Sequence, residues 1–255
     1  LSDEIITLDV RDYVATITLN RGPVNAMNSE MRNRFVAILD EVNERDDIRA
    51  AVLCSSQKVF CAGADLRDRP DGRPGTFGAH NRVTRECFNA IVECSKPIVA
   101  AVNGAALGMG FAIAAFSDVV VASEQASFGM PEIDVGLAGG AAMLKTVLGR
   151  GNMRMMFLTG ARFSGAEMYR MGVVNILVAP DQVHAEAQRL AAVIASKAPL
   201  AVAYAKRSCN MADLMPTRDA YRFEQDFTVA LSKTEDAVEA RTAMLEKRPP
   251  VYRGR

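Results

Sequence analysis

The chain of 255 residues has no excess charge of either sign: thirty Lys and Arg balance thirty Asp and Glu. With no global field to attract nucleic acid, an acidic membrane or a polycationic partner, none of these is expected, and any anion site must be local. Cysteine is scarce and poorly arranged for cross-linking. Cys54, Cys61, Cys87, Cys94 and Cys209 are odd in number and form no C-x-x-C, which argues against a disulfide framework or zinc ribbon and predicts reduced thiols in a cytoplasmic protein. Histidine is scarcer still. His80 and His184 have no partners at ligand spacing, so no metal site is expected and both read as solvated. No P-loop occurs, and Gly108-Met109-Gly110 runs on into Phe111-Ala112-Ile113 without the third glycine of a dinucleotide fingerprint. The opening Leu1-Ser2-Asp3-Glu4 is acidic where a signal peptide is basic.

What is present is apolar and patterned. With 49% hydrophobic residues the chain can bury one large core or two modest ones. Ile98 to Phe116 carries no charge over 19 residues, long enough to span a bilayer. However, Pro97 at its entrance, the Asn103-Gly104 turn and its many Ala and Gly favour a buried strand, a turn and a buried helix. Ile5 to Asp9 and Val14 to Leu19 alternate and read as a hairpin turning at Arg11-Asp12. Met31, Phe35, Ile38, Leu39 and Val42 recur at helical spacing after Ser29. Ala51 to Cys54, Val119 to Ala122, Ala126 to Phe128 and Val173 to Val178 read as strands. Arg67 to Gly78 reads as a mobile segment before a helix over Arg82 to Glu93, and Ser164 to Glu167 has capping-box spacing. From Val183 to Lys247 the pattern is helical almost throughout. Alternating strands and helices followed by helices alone predict an α/β core with a helical appendage. No fixed-period repeat is visible.

Chemistry concentrates where glycine is denser than packing alone requires. Phe60-Cys61-Ala62-Gly63-Ala64-Asp65-Leu66 follows a strand, and Gly104-Ala105-Ala106-Leu107-Gly108-Met109-Gly110 opens a helix. Either is consistent with an ordinary strand-to-helix turn. Facing each other, their N–H groups would bind one developing oxyanion. In a third segment, Phe128-Gly129-Met130-Pro131-Glu132-Ile133-Asp134, Pro131 suggests extended geometry, which would set Glu132 and Asp134 on one face. In a dry setting two carboxylates drive one another's pKa apart and can divide acid and base roles. A solvated edge is the alternative.

These segments, together with Lys96-Pro97-Ile98-Val99-Ala100-Ala101-Val102-Asn103-Gly104, occur in an order and spacing that resembles the enoyl-CoA hydratase/isomerase (crotonase) family over essentially the whole chain. The resemblance implies an α/β spiral of ββα units over residues 1–195 and a helical region over 196–255 that packs homo-oligomers, as trimers or dimers of trimers. It implies an acyl-CoA thioester, with coenzyme A as part of the substrate and no permanent cofactor. Carried over, the backbone N–H groups of Ala64 and Met109 would hold the thioester oxygen and Glu132 would move a proton. Ala62, Ala64, Asp65 and Leu66 would contact the ligand. Arg21 and Lys247 would contact CoA phosphates, Lys247 sometimes across a subunit boundary. Where the hydratase pattern has its first glutamate this chain has Ala112, and the loop Gly136-Leu137-Ala138-Gly139-Gly140 is short. A single Glu132 favours an enoyl-CoA isomerase. The alternatives are a hydratase that uses Asp134 as second group and a non-catalytic acyl-CoA-binding member.

Overall fold

The computed structural model describes residues 4–255, so Leu1-Ser2-Asp3 of the acidic opening lies outside the described residues. Strands β1 (Ile6–Arg11) and β2 (Val14–Leu19) pair antiparallel with Arg11 opposite Val14. The turn is Asp12-Tyr13, one residue later than expected, both at positive φ (49° and 66°), the geometry that matches the twist of a two-residue hairpin. From β2 the sheet continues in parallel through β3 (Ala50–Ser55), β4 (Ile98–Val102), β6 (Val119–Ser123) and β9 (Ile176–Val178).

Each parallel strand feeds a second, shorter layer before a helix. After β2 comes the bridge Met27–Ala64, then helix α1 (Ser29–Glu44). After β3 comes the bridge Cys61–Ala106, then α2 (Thr76–Glu93). After β4 comes β5 (Ala105–Leu107), then α3 (Met109–Phe116). After β6 comes β7 (Ser127–Gly129), parallel to β5 and closed by the antiparallel β8 (Arg162–Ser164). This recurrence of strand, short strand and helix is a spiral of ββα units. The uncharged run from Ile98 to Phe116 is one such unit, and among the described residues no helix is long and apolar enough to cross a membrane.

Both faces of the large sheet are covered, which explains its unbroken apolar strands. Ala51, Leu53, Ile98, Ala100 and Val102 face one core with Met31, Phe35, Ile38 and Leu39 of α1. Ala50, Val52, Val99 and Ala101 face a second core against α7 (Val183–Ala195). There Ala187, Ala191 and Ala195, spaced four apart, allow close approach. Each large apolar side chain so buried contributes about 1.5–3 kcal/mol.

Between β7 and α7 the chain forms a 3₁₀ turn (Pro131–Val135), α4 (Ala141–Leu144), α5 (Arg150–Thr159) and α6 (Gly165–Arg170). The capping box of Ser164 and Glu167 is formed. Val173 and Val174 donate their N–H groups to Met168 O at the end of α6, so the strand expected from Val173 begins only at Ile176. Helix α2 starts at Thr76, ahead of the Arg82 expected. The segment read as mobile before it is tethered: Asp68 Oδ2 accepts from Ser29 N–H, Ser29 Oγ and Arg32 Nη2.

The chain ends in α8 (Pro199–Ala212), α9 (Thr217–Leu231) and α10 (Glu235–Glu246). Helix α8 is fixed to the core by Lys206, whose buried Nζ donates to Ile91 O, Lys96 O and, at 2.8 Å, Asp118 Oδ2. Asp118 Oδ2 also accepts the Ile98 N–H at 2.7 Å, so one carboxylate ties β4 to the appendage. Asp118→Asn keeps an acceptor but leaves Lys206 without its counter-charge. Thermal denaturation should show a loss of about 1–3 kcal/mol. Asp118→Asn with Lys206→Met should recover most of it, because the buried ammonium that lacked a counter-charge is gone.

Candidate active site

The first glycine turn is built on a buried side chain. Asn25, fully buried at positive φ, donates from Nδ2 to Phe60 O (2.9 Å) and Ser55 Oγ (2.7 Å) and accepts the Arg21 N–H. Cys61 Sγ donates to Asn25 O at 3.1 Å. Burial pushes that thiol up to about 12, so it is an inert packing group rather than a nucleophile. Along the turn, Ala62 N–H donates to Val24 O and Asp65 N–H to Met27 O, while Ala64 N–H makes no backbone hydrogen bond among the described residues.

The second turn packs directly on the first. A Cβ on Gly63, where φ is +100°, would lie 2.9 Å from Leu107 O and 3.6 Å from Met109 N. A Cβ on Gly110 would strike Cys61 O. Only glycine permits these approaches. Met109 is the first residue of α3, whose N-cap is Gly108 with no side-chain cap. Its N–H is therefore one of the donors a helix start leaves unused, and like Ala64 it finds no backbone acceptor among the described residues.

Glu132 reaches this junction from the 3₁₀ turn: a Cβ on Gly108 would meet its Oε1. Glu132 is half-buried, and its Oε2 is buried without a hydrogen-bond partner among the described residues. Desolvation raises its pKa above the usual carboxylate value, opposed by its own backbone N–H.

The extended geometry expected around Pro131 is not found. Proline restricts the residue before it, and Met130 is indeed non-helical (φ −122°, ψ 77°), but Pro131 itself starts the 3₁₀ turn. At three residues per turn Glu132 and Asp134 do not share a face. Asp134 is exposed, with its carboxylate 2.8 Å from where a Cβ on Gly160 would stand. It still borders the same space.

That space is a cavity of about 440 Å³, walled by Ala62, Gly63, Ala64, Asp65 and Leu66 on one side and Gly108, Glu132, Asp134 and Leu137 on another. Arg21 does not line it. Its Nη2 pairs with Asp65 Oδ2 at 2.9 Å and its Nη1 donates to Ala26 O at 2.6 Å, which braces the first turn. Asp65 also accepts the Arg67 N–H, and these contacts, the Arg67 one foremost, hold its pKa below the ordinary value. Lys247 ends α10 in the left-handed conformation and does not line the cavity. Two further residues belong to the neighbourhood. His80, read as solvated, is half-buried on the cavity wall, and Arg32 lies behind it, 1% exposed. Nothing in the helical spacing of α1 singles out Arg32, and only the fold brings it to His80.

Two abutting glycine turns with a desolvated carboxylate at their junction, carried by a ββα spiral, define a site of the crotonase type. Residues 9–255 match the enoyl-CoA hydratase/isomerase family, and the chain belongs to it, as an enzyme of the crotonase superfamily. The Mycobacterium tuberculosis (strain ATCC 25618 / H37Rv) enzyme named (7aS)-7a-methyl-1,5-dioxo-2,3,5,6,7,7a-hexahydro-1H-indene-carboxyl-CoA hydrolase is 34% identical over 236 residues, covering 92% of this chain and 95% of its own. The carnitinyl-CoA dehydratase of Salmonella typhimurium is 33% identical over 259 residues, covering 95% of each. The crystal structure of an enoyl-CoA hydratase from Bacillus anthracis superposes with a TM-score of 0.94 at 28% identity, over 99% of this chain and 100% of that one.

Proposed function

We propose that the chain is an enoyl-CoA isomerase in which Glu132 is the only acid–base group. The thioester oxygen of a 3-enoyl-CoA accepts hydrogen bonds from Ala64 N–H and Met109 N–H. Glu132 removes a proton from the carbon next to the thioester carbonyl. The electrons move into a dienolate whose negative charge rests on the held oxygen, and Glu132 returns the proton at the far carbon, giving the conjugated 2-enoyl-CoA. Coenzyme A enters and leaves as part of the substrate. The observation that carries this reading is the buried, unpartnered Glu132 Oε2 at the junction of two turns, each with a free N–H, combined with Ala112 on α3, which has no proton to exchange.

One observation favours a second reading, hydration of a 2-enoyl-CoA: Asp134 borders the same cavity and would position water. Rates of 3-enoyl isomerisation and 2-enoyl hydration in Asp134→Asn separate them. A small effect on both is expected. A loss of hydration as large as that caused by Glu132→Gln would select the hydratase, since groups acting as a unit are not additive.

The CoA phosphates require a local cation because the chain has no net charge. Arg21 braces the first turn beside that path, and Lys247, outside the cavity, reaches the phosphates from a neighbouring copy. Lys247→Ala should weaken CoA binding, the more so at low ionic strength where screening is least. A dissociation constant unchanged in low salt would remove Lys247 from the site. Residues 196–255 supply the packing between copies. Phe227 of α9 stacks on Tyr204 of α8 and meets Phe223 edge-on, both phenylalanines being half-buried, while Leu214, Met244 and Leu245 are 78%, 82% and 85% exposed. Obligate interfaces resemble a domain core, so light scattering should report a trimer or a dimer of trimers. A monodisperse monomer at micromolar concentration would contradict this packing.

A further inference from the structure

One wall of the cavity carries polar groups that the proton transfer does not use. His80, from α2, lines it together with Asn81 and Arg69. Behind His80 lies Arg32 from α1, whose Nη2 donates to Asp68 Oδ2 (3.1 Å) and Ser29 Oγ (3.0 Å) and stands 3.3 Å from His80 Nδ1. A guanidinium has donors only and keeps its proton. His80 Nδ1 must therefore present a lone pair, which leaves the single ring proton of a neutral imidazole on Nε2. Burial first, and then the Arg32 charge, hold the His80 pKa below its usual value, with Arg69 acting in the same sense and Asp68 against it. Nε2 itself makes no hydrogen bond among the described residues. The ring is thus a donor fixed by a buried cation, with its N–H unspent.

A cavity of about 440 Å³ takes a thioester and an acyl group rather than the whole of coenzyme A. We infer that His80 donates from Nε2 to an oxygen on the acyl chain, so that the preferred substrate is an acyl-CoA bearing a keto or carboxylate acceptor remote from the thioester. The inference rests on the thioester reading of the same site. Chemically, a hydrocarbon chain against this wall would bury the Nε2–H without an acceptor, and such an orphaned donor is what lets a site reject an analogue that lacks the oxygen. Asn81 adds a further amide, and the exposed Arg69 adds a cation that ranks carboxylate above ketone.

The experiment uses the full chain and three 3-enoyl-CoA thioesters of matched length, ending in a hydrocarbon, a ketone or a carboxylate. The readout is the ratio of kcat/KM for each oxygenated substrate to that for the hydrocarbon. The ratio should favour oxygen in the unmodified enzyme and fall about tenfold in His80→Phe, as expected for loss of one hydrogen bond to a half-buried donor. His80→Gln, which keeps an N–H near the position of Nε2, should retain most of it. Because the chain has only two histidines, His184→Gln leaves one imidazole for nitrogen NMR, and this measurement does not depend on the folding of any His80 variant. A neutral Nε2–H tautomer at pH 7 is expected. An Nδ1–H tautomer or an imidazolium overturns the inference, as does a ratio that is the same in His80→Phe. Turnover of the panel with an unmoved ratio overturns this inference alone. If none of the thioesters turns over, the same ratio is read on their dissociation constants; binding of none of them overturns the thioester reading and this inference with it.

Discussion

Glu132→Gln is expected to slow conversion of a 3-enoyl-CoA by about 10²–10⁴-fold while the thioester still binds, since the amide keeps the shape of the carboxylate and loses its basicity. Full activity of this variant on every active substrate would remove Glu132 from the chemistry. The same residue sets a pH dependence. Its pKa is raised by desolvation, and the ionised form is the base, so the acid limb of kcat/KM should lie above the ordinary glutamate value of about 4.3. Stability runs the other way. Below its unfolded-state pKa the carboxyl is neutral in both states and contributes nothing. As pH rises, the unfolded chain releases the proton first, so the fold is disfavoured until the folded pKa is passed, and the penalty then persists. Glu132→Gln should accordingly melt higher than the parent near pH 7, with the gap closing below the unfolded-state pKa. Activity lost with stability gained is the behaviour of a desolvated functional group.

The second large effect concerns a donor rather than a base. Met109 is the first residue of α3, the helical position that proline favours, because no intrahelical partner awaits its N–H and the fixed φ of proline suits a helix start. Met109→Pro therefore removes the proposed oxyanion donor with little change to the helix. It also removes a buried side chain, a loss that Met109→Ala shares while keeping the N–H. Steady-state rates should differ between the two variants by about 10²–10³-fold, the range for one missing oxyanion-hole donor. Equal rates would mean that the free N–H of Met109 holds no developing charge.

How much of this was readable beforehand depends on whether the cause was local. Helix α1 was legible because Met31, Phe35, Ile38, Leu39 and Val42 repeat on one face, and all five are buried. The central strands were legible as short apolar runs, and the glycine turns because Gly63, Gly108 and Gly110 stand where a Cβ would strike backbone or the Glu132 carboxylate. The spiral itself left no fixed period. Its second layer is made of single bridges and three-residue strands such as β5 and β7, too short to print a pattern. The segment from Asp65 to Gly75 further stretches one unit relative to the next. The extended geometry assigned to Pro131 failed because a proline constrains the residue it follows and here begins the 3₁₀ turn. Arg32 and His80 lie 48 positions apart, and Lys206 and Asp118 lie 88 apart. No window of sequence places such partners together.

The claim that one carboxylate carries the reaction is tested most directly by the mass of the first product formed from a 3-enoyl-CoA in heavy-oxygen water. Proton transfer by Glu132 alone predicts the 2-enoyl isomer at unchanged mass and without heavy oxygen, appearing before any hydroxyacyl thioester. A first product heavier by one labelled water would contradict it.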